Sequence, residues 1–226
     1  MSVKENLQRL HERIARAADR AGRNPADIQL VVVTKTVEVD KIKEALDCGV
    51  RIIGESRIHE AAEKQPHIGR SVQWHMVGHL QSRKARQGVE LFDMVQSVES
   101  ISTARALQKR CAEAGLTMPI LIEINTSGEE QKYGIQPEQA QEFIREVTEM
   151  DRLRIRGLMT MAAFVPDPEA ARPSFRRLRQ LAEMLRQEHI ERAGLEILSM
   201  GMSNDFEVAI QEGATMLRIG TAIFAE

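Results

Sequence analysis

Lys35 follows the run Val31-Val32-Val33-Thr34, so a single primary amine emerges from a string of valines. An ammonium group is costly to desolvate, and at such a depth the neutral amine is favoured. The neutral amine is the form that condenses with an aldehyde to give a Schiff base. Position alone leaves an alternative open, in which the stem lies along apolar surface and the ammonium reaches water. A second cluster, Ser199-Met200-Gly201-Met202-Ser203-Asn204-Asp205, runs directly into a helical pattern. Hydroxyls and a glycine at a helix N-terminus suit an anion, because unpaired N–H groups and the helix dipole both favour negative charge there. Arg218-Ile219-Gly220-Thr221 adds another glycine, a hydroxyl and a fixed cation. An N-cap role for Ser203 or Asn204, with Gly220 a packing residue, explains one of these loops but not both. An amine and a phosphate cradle together suit a phosphorylated aldehyde, and pyridoxal 5′-phosphate (PLP) combines the two groups.

Other polar residues sit at comparable positions. Glu55 and Ser56 follow the second apolar run, where they can face the same mouth. His75 reads as an inward or mouth-facing hydrogen-bonding residue, and His79 as a loop residue. Their spacing of four suits a metal pair only on a helix, and Gly78 with the strand-like pattern argues against a helix here. No metal site is expected. Lys132 reads from spacing as a solvated loop charge.

These residues need a scaffold, and the chain repeats one. Short apolar runs recur at Ile28–Thr34, Val50–Gly54, Val72–Val77, Met94–Val98, Pro119–Asn125, Ile155–Met161, Glu196–Gly201 and Met216–Phe224. Most are continuously apolar rather than alternating, as strands covered on both faces should be. Helical patterns lie between them, at Val39–Leu46, Pro137–Met150, Glu169–Ile190 and Asp205–Gln211. Strands alternating with helices imply right-handed βαβ units and a parallel sheet. Eight strands fit a closed barrel, although the chain is a little short of the usual length of about 250 residues. The count alone leaves a doubly wound open sheet as the alternative. An amphipathic helix over Val3–Arg23 precedes the first strand, and is expected to fill the gap in the helical ring or to close the barrel bottom.

Composition removes several classes of function. Thirty-one Lys and Arg against 33 Asp and Glu, with 4% aromatics, argue against a nucleic-acid binder working by bulk charge or base stacking. No apolar stretch is long enough to span a membrane, and the amphipathic N-terminus has no apolar signal core. Cys48 and Cys111 have neither disulfide-framework nor zinc spacing, which points to the cytoplasm.

The stretches VVVTKT, IIGESRIHEA, WHMVGHLQSRK, LIEINTSGEEQKYGI, RGLMTM, LSMGMSNDFEVAI and LRIGTAIF run in order through nearly the whole chain. Together they resemble the YggS/PROSC family, the pyridoxal phosphate homeostasis proteins. The resemblance implies a single (β/α)8 TIM barrel like the alanine racemase N-terminal domain, spanning residues 1–226 as one PLP-binding unit. It implies PLP held as a Schiff base on Lys35, with the phosphate on Ser199, Gly201, Ser203, Gly220 and Thr221. Arg218 falls where related racemases place a cation near the pyridine nitrogen, which weakens the ring as an electron sink. Ser56 stands where the family commonly has Asn, so the ring contact of that Asn is in question. His75 lies in the matching WHMVGH stretch, and Lys132 in the E-x-x-K-x-G pattern is a candidate secondary PLP contact. The family is regarded as carriers or regulators of free PLP without established catalytic activity, with PLP-dependent apo-enzymes as candidate recipients; with no second domain to build a shared site, a monomer is the default expectation. Lys35 is the one obvious base, and the only tyrosine, Tyr133, lies in a loop. A PLP-dependent amino-acid racemase and a barrel binding a different phosphate ester are the rival readings.

Overall fold

The computed structural model describes residues 2–129, 133–163 and 166–225. Eight parallel strands alternate with helices in the order α1 (Val3–Arg20), β1 (Gln29–Val33), α2 (Val39–Asp47), β2 (Ile52–Glu55), α3 (Ile58–Ile68), β3 (Gln73–Met76) and α4 (Ala85–Leu91). The series continues with β4 (Met94–Val98), α5 (Ile101–Ala114), β5 (Met118–Glu123), α6 (Ala140–Thr148), β6 (Leu153–Met159) and α7 (Arg172–Gln187). It ends with β7 (Ala193–Ser199), α8 (Phe206–Gln211), β8 (Met216–Ile219) and α9 (Thr221–Phe224). β1 pairs with β2 on one side and with β8 on the other, so the sheet closes on itself. The closed barrel is realised and the open sheet is excluded.

The continuously apolar strands follow from two separate cores. Val32, Ile53, Trp74, Val95, Ile120, Leu158, Leu198 and Leu217 pack outward under the helices. Val31, Val77, Met94, Leu121, Met159 and Met216 pack together inside the barrel. Because strand side chains alternate between faces, both parities must be apolar. Most seams share two or more register pairs, whereas β7 and β8 share one, Ser199↔Met216.

α1 starts with a capping box, in which the Ser2 hydroxyl accepts from the Glu5 N–H and the Glu5 carboxylate accepts from the Ser2 N–H. Its apolar stripe of Leu7, Leu10, Ile14, Ala17 and Ala18 packs against α8, α9 and α2. The helix therefore completes the outer ring rather than closing the barrel bottom. The boundary that differs most from the sequence expectation is at the end of the last strand. The last strand stops at Ile219, and the apolar residues after Gly220 form the short helix α9. No helix among the described residues is long and apolar enough to cross a membrane.

Candidate functional site

The C-terminal strand ends form one rim, and strand parity decides which side chains reach it. Val31 and Val33 face the inner core, and Lys35 follows two residues later, beyond the end of the strand. Thr34 has the opposite parity and points outward, with its hydroxyl donating to Glu55 Oε1 at 2.6 Å. Lys35 is exposed, so of the two readings its position left open the structure takes the one in which the amine reaches water. The reason is local: β1 ends at Val33, and the chain turns over Lys35 and Thr36 with the Val37 N–H donating to Thr34 O. The side chain is carried beyond the ring of valines, so the barrel itself does not dehydrate the amine.

The loops after β7 and β8 meet beside this turn. Ser203 Oγ accepts from the Ala222 N–H at 3.1 Å, and the Arg218 N–H donates to Gly201 O at 3.0 Å. Gly201 has φ +95°, and a Cβ there would lie 2.6 Å from the Ala209 Cβ. At Gly220 a Cβ would lie 2.9 Å from Val33 O, so the β8 turn presses directly on the end of β1. Thr221 is exposed at the start of α9. Gly201, Ser203, Gly220 and Thr221 thus share one corner of the rim, and Gly220 abuts the end of β1 two residues before Lys35. Ser56 is half-buried on the other flank, since Val33 is paired with Gly54.

Ser199, Arg218 and His75 form a different group, inside the barrel. Ser199 Oγ donates to Gln96 Oε1 at 2.7 Å and accepts from Arg218 Nη1 at 2.6 Å. Its hydroxyl is committed below the rim, in contrast to the cradle position expected from the sequence. Arg218 also donates to Thr160 O at 2.8 Å. Burial lowers its pKa to about 10, with Glu123 and Asp205 opposing the shift. It therefore stays cationic near neutral pH. Gln96 Nε2 lies 2.9 Å from His75 Nδ1. Since Gln96 already accepts through its oxygen, its amide donates and His75 Nδ1 accepts. This suits a neutral imidazole, and burial pushes the His75 pKa down to about 4.

On the far side of the mouth, His79 Nδ1 is 2.5 Å from Glu99 Oε1, and its ring stacks on Tyr133 at 4.3 Å. Glu123 is buried among these residues and Arg218. Burial first, then the Glu99 charge, raises its pKa to about 7 against the pull of Arg218. Glu55 does not face the mouth but lies outside the barrel wall, beneath α3. Lys132 lies outside the described residues. Gln96, Thr160 and Glu123 were not singled out from the sequence. Gln96 and Glu123 are polar residues in otherwise apolar strands, a signal that could have found them.

The rim fits a small phosphorylated aldehyde. Two turns without side chains at Gly201 and Gly220, a hydroxyl at Ser203 and a reachable amine at Lys35 occupy one corner, with a fixed guanidinium beneath. Gly201→Ala is expected to lower unfolding stability by about 1–3 kcal/mol through overpacking, with backbone strain added. Urea unfolding at constant m-value reads this loss. Gly22→Ala is the control, because Gly22 also has positive φ but its Cβ would meet nothing within 4 Å. Equal losses in the two variants would remove the steric argument.

Comparison with known proteins agrees with this geometry. The family described as alanine racemase, N-terminal domain, matches residues 6–226. A pyridoxal phosphate homeostasis protein of Aquifex aeolicus is 38% identical over 227 aligned residues, covering 100% of this chain and 99% of that protein. The protein of the same name from Escherichia coli K12 is 38% identical, covering 98% and 95%. Among solved structures, PipY of Synechococcus elongatus PCC7942 with PLP bound is 31% identical, with a TM-score of 0.86 and coverage of 99% and 100%. Clostridium difficile alanine racemase, 15% identical, shares the fold at a TM-score of 0.74, covering 100% of this chain and 56% of the racemase. With its barrel, its matched domain and full-length relatives of one kind, this chain belongs to the pyridoxal phosphate homeostasis proteins, built on the alanine racemase N-terminal domain.

Proposed function

We propose that the chain, as one unit over residues 1–226, holds PLP as a Schiff base on Lys35 and serves PLP homeostasis without turning over a substrate. The observation that supports this reading is the contact between the end of β1 and the β8 turn, Gly220 against Val33, at the strand end from which Lys35 emerges. Gly201, Ser203, Gly220 and Thr221 receive the phosphate, and Ser56 borders the ring. PLP supplies a reactive aldehyde carbon and, once linked, an electron sink. Lys35 provides the nitrogen that replaces the aldehyde oxygen, which leaves as water, with no change in oxidation state.

Arg218, held by Ser199 and the Thr160 carbonyl, presents a permanent positive charge below the ring. A positive neighbour disfavours a protonated pyridine nitrogen and so weakens the sink, which supports storage over racemisation. Tyr133 is engaged with His79 on the β3–β5 side of the mouth. The relatives named for PLP homeostasis, and PipY with PLP bound, support the same assignment. We place the protein in the cytoplasm as a monomer that exchanges PLP with PLP-dependent apo-enzymes.

Incubation with PLP, borohydride reduction and peptide mapping tests the assignment. One pyridoxyl adduct is expected, on the peptide containing Lys35. Its absence would overturn the covalent reading in favour of a different phosphate ester, with Lys35 an ion-pair donor. Deuterium incorporation at the α-carbon of single amino-acid enantiomers, at enzymic rates, would instead favour a racemase.

A further inference from the structure

Outside the barrel wall, behind Lys35, lies a buried ion cluster that the proposed function does not use. Glu55 is fully buried at the end of β2, while Glu60 and Lys64 of α3 are each 8% exposed. Lys64 Nζ donates to Thr34 O at 2.7 Å, to Glu55 Oε1 at 2.8 Å and to Glu60 Oε2 at 3.1 Å. An ammonium has three donors, and all three are used. Glu60 Oε2 also accepts from the Thr36 N–H at 2.7 Å, and Glu55 Oε1 accepts from the Thr34 hydroxyl. Arg57 adds a longer contact to Glu60 at 3.6 Å.

The placement of these bonds is the informative feature. If the cluster served only to attach α3 to the barrel, apolar side chains of similar volume would do as well. Instead its bonds end on the two residues that flank Lys35, at the Thr34 carbonyl and hydroxyl on one side and the Thr36 N–H on the other. Thr36 has φ +60°, an uncommon conformation for a β-branched residue, so something must hold it there. The Thr36 N–H bond to Glu60 is placed to do this. Glu55 Oε2 is the one buried side-chain polar atom among the described residues without a partner. Burial raises the Glu55 pKa against the pull of Lys64 and Thr34. A residue kept despite that cost points to a role beyond packing.

We infer that Glu55, Glu60 and Lys64 are positioning residues that fix the backbone on both sides of Lys35 and so aim its amine at the β7–β8 cradle. The inference rests on the reading of Lys35 as the PLP-bearing lysine. It also accounts for selectivity between two neighbouring amines: Lys64 has its three donors bonded inside the cluster, while the Lys35 side chain is exposed at the rim.

The test compares covalent and non-covalent occupancy of the same rim. Glu60→Leu removes the acceptor for the Thr36 N–H, and Glu60→Gln keeps an oxygen there. PLP loading on Lys35 is followed by borohydride trapping, and cradle binding by titration with 4′-deoxypyridoxine 5′-phosphate, which lacks the aldehyde. Glu60→Leu is expected to slow covalent loading roughly tenfold, about one decade of rate, with affinity for the aldehyde-free analogue unchanged. Glu60→Gln should recover most of the loss. Covalent loading at the parent rate in Glu60→Leu would overturn the inference. So would a parallel loss of analogue binding by a folded variant, since the cluster would then be general support. Should Glu60→Leu fail to fold, Thr34→Val, which cuts the hydroxyl bond to Glu55 at constant volume, supplies the same comparison and the same two outcomes. Absence of a Lys35 adduct in the parent protein refutes the Lys35 reading, and with it this inference, before any variant is compared.

Discussion

Lys35→Ala is expected to lose covalent PLP completely, with no pyridoxyl adduct after reduction and no imine absorption on mixing. Among the described residues, the amine bonded to the same turn is not placed to take over. Lys64 is the neighbouring lysine, but it is buried with each of its three donors bonded. It would have to leave Glu55 and Glu60 behind as unpaired buried charges before it could react. The cradle at Gly201, Ser203, Gly220 and Thr221 does not depend on the Lys35 side chain, so a phosphorylated pyridoxine analogue should still bind. Lys35→Arg sharpens the result. A guanidinium retains the positive charge but does not condense with an aldehyde at neutral pH. If Lys35 served only as an ion-pair donor, the arginine variant would behave like the parent. Covalent adduct surviving in Lys35→Ala, at any other peptide, would sink the assignment.

The second large effect is on stability as a function of pH. His75 is shifted from 6.5 down to about 4 by burial, and Glu123 from 4.5 up to about 7. Between about pH 4 and 6.5 the unfolded chain protonates His75 while the folded chain does not, so this residue makes stability rise with pH. Between 4.5 and about 7 the folded chain keeps the proton on Glu123 while the unfolded chain loses it, so stability falls as pH rises. The two slopes oppose each other over most of one window. Each group is worth roughly 3 kcal/mol across its own range, at 1.36 kcal/mol per pKa unit. Glu123→Gln removes the falling limb. The stability of the parent relative to that variant should therefore drop by roughly 3 kcal/mol between pH 4.5 and 7. Urea unfolding of both proteins at several pH values measures this directly. A pH-independent difference would show that Glu123 is not kept protonated by the fold.

Much of the fold is legible because parallel strands buried on two faces must be apolar at both parities, as Val31 and Val32 illustrate. The end of β8 was harder to read. Ala222, Ile223 and Phe224 extend an apolar run, and four residues do not distinguish a strand from one turn of helix. In the rim, the glycines and hydroxyls of the two loops were legible as residue types, because backbone lying close to an anion needs them, and the structure gathers the two loops at one corner. Ser199 was misplaced for a simple reason of parity: Ile197 packs against the inner core, so Ser199 also turns inward. The exposure of Lys35 followed from where β1 stops, which a string of valines does not reveal. Partners such as Gln96 with Ser199, or Lys64 with Thr34, join residues far apart in sequence. Their spacing carries no signal, and only barrel closure or the docking of α3 brings them together.

Seven seams of the barrel are stitched at two or more register positions, and the remaining one, between β7 and β8, at a single position. That joint also frames the rim corner proposed for the phosphate, where Ser203 Oγ accepts from the Ala222 N–H. The joint is nonetheless bonded along its length, with the Thr215 N–H donating to Leu198 O, the Met200 N–H to Met216 O and the Arg218 N–H to Gly201 O. These bonds are made by main-chain atoms, so exchanging the Ser203 or Thr221 side chain leaves the joint closed and reports on binding rather than on the barrel wall.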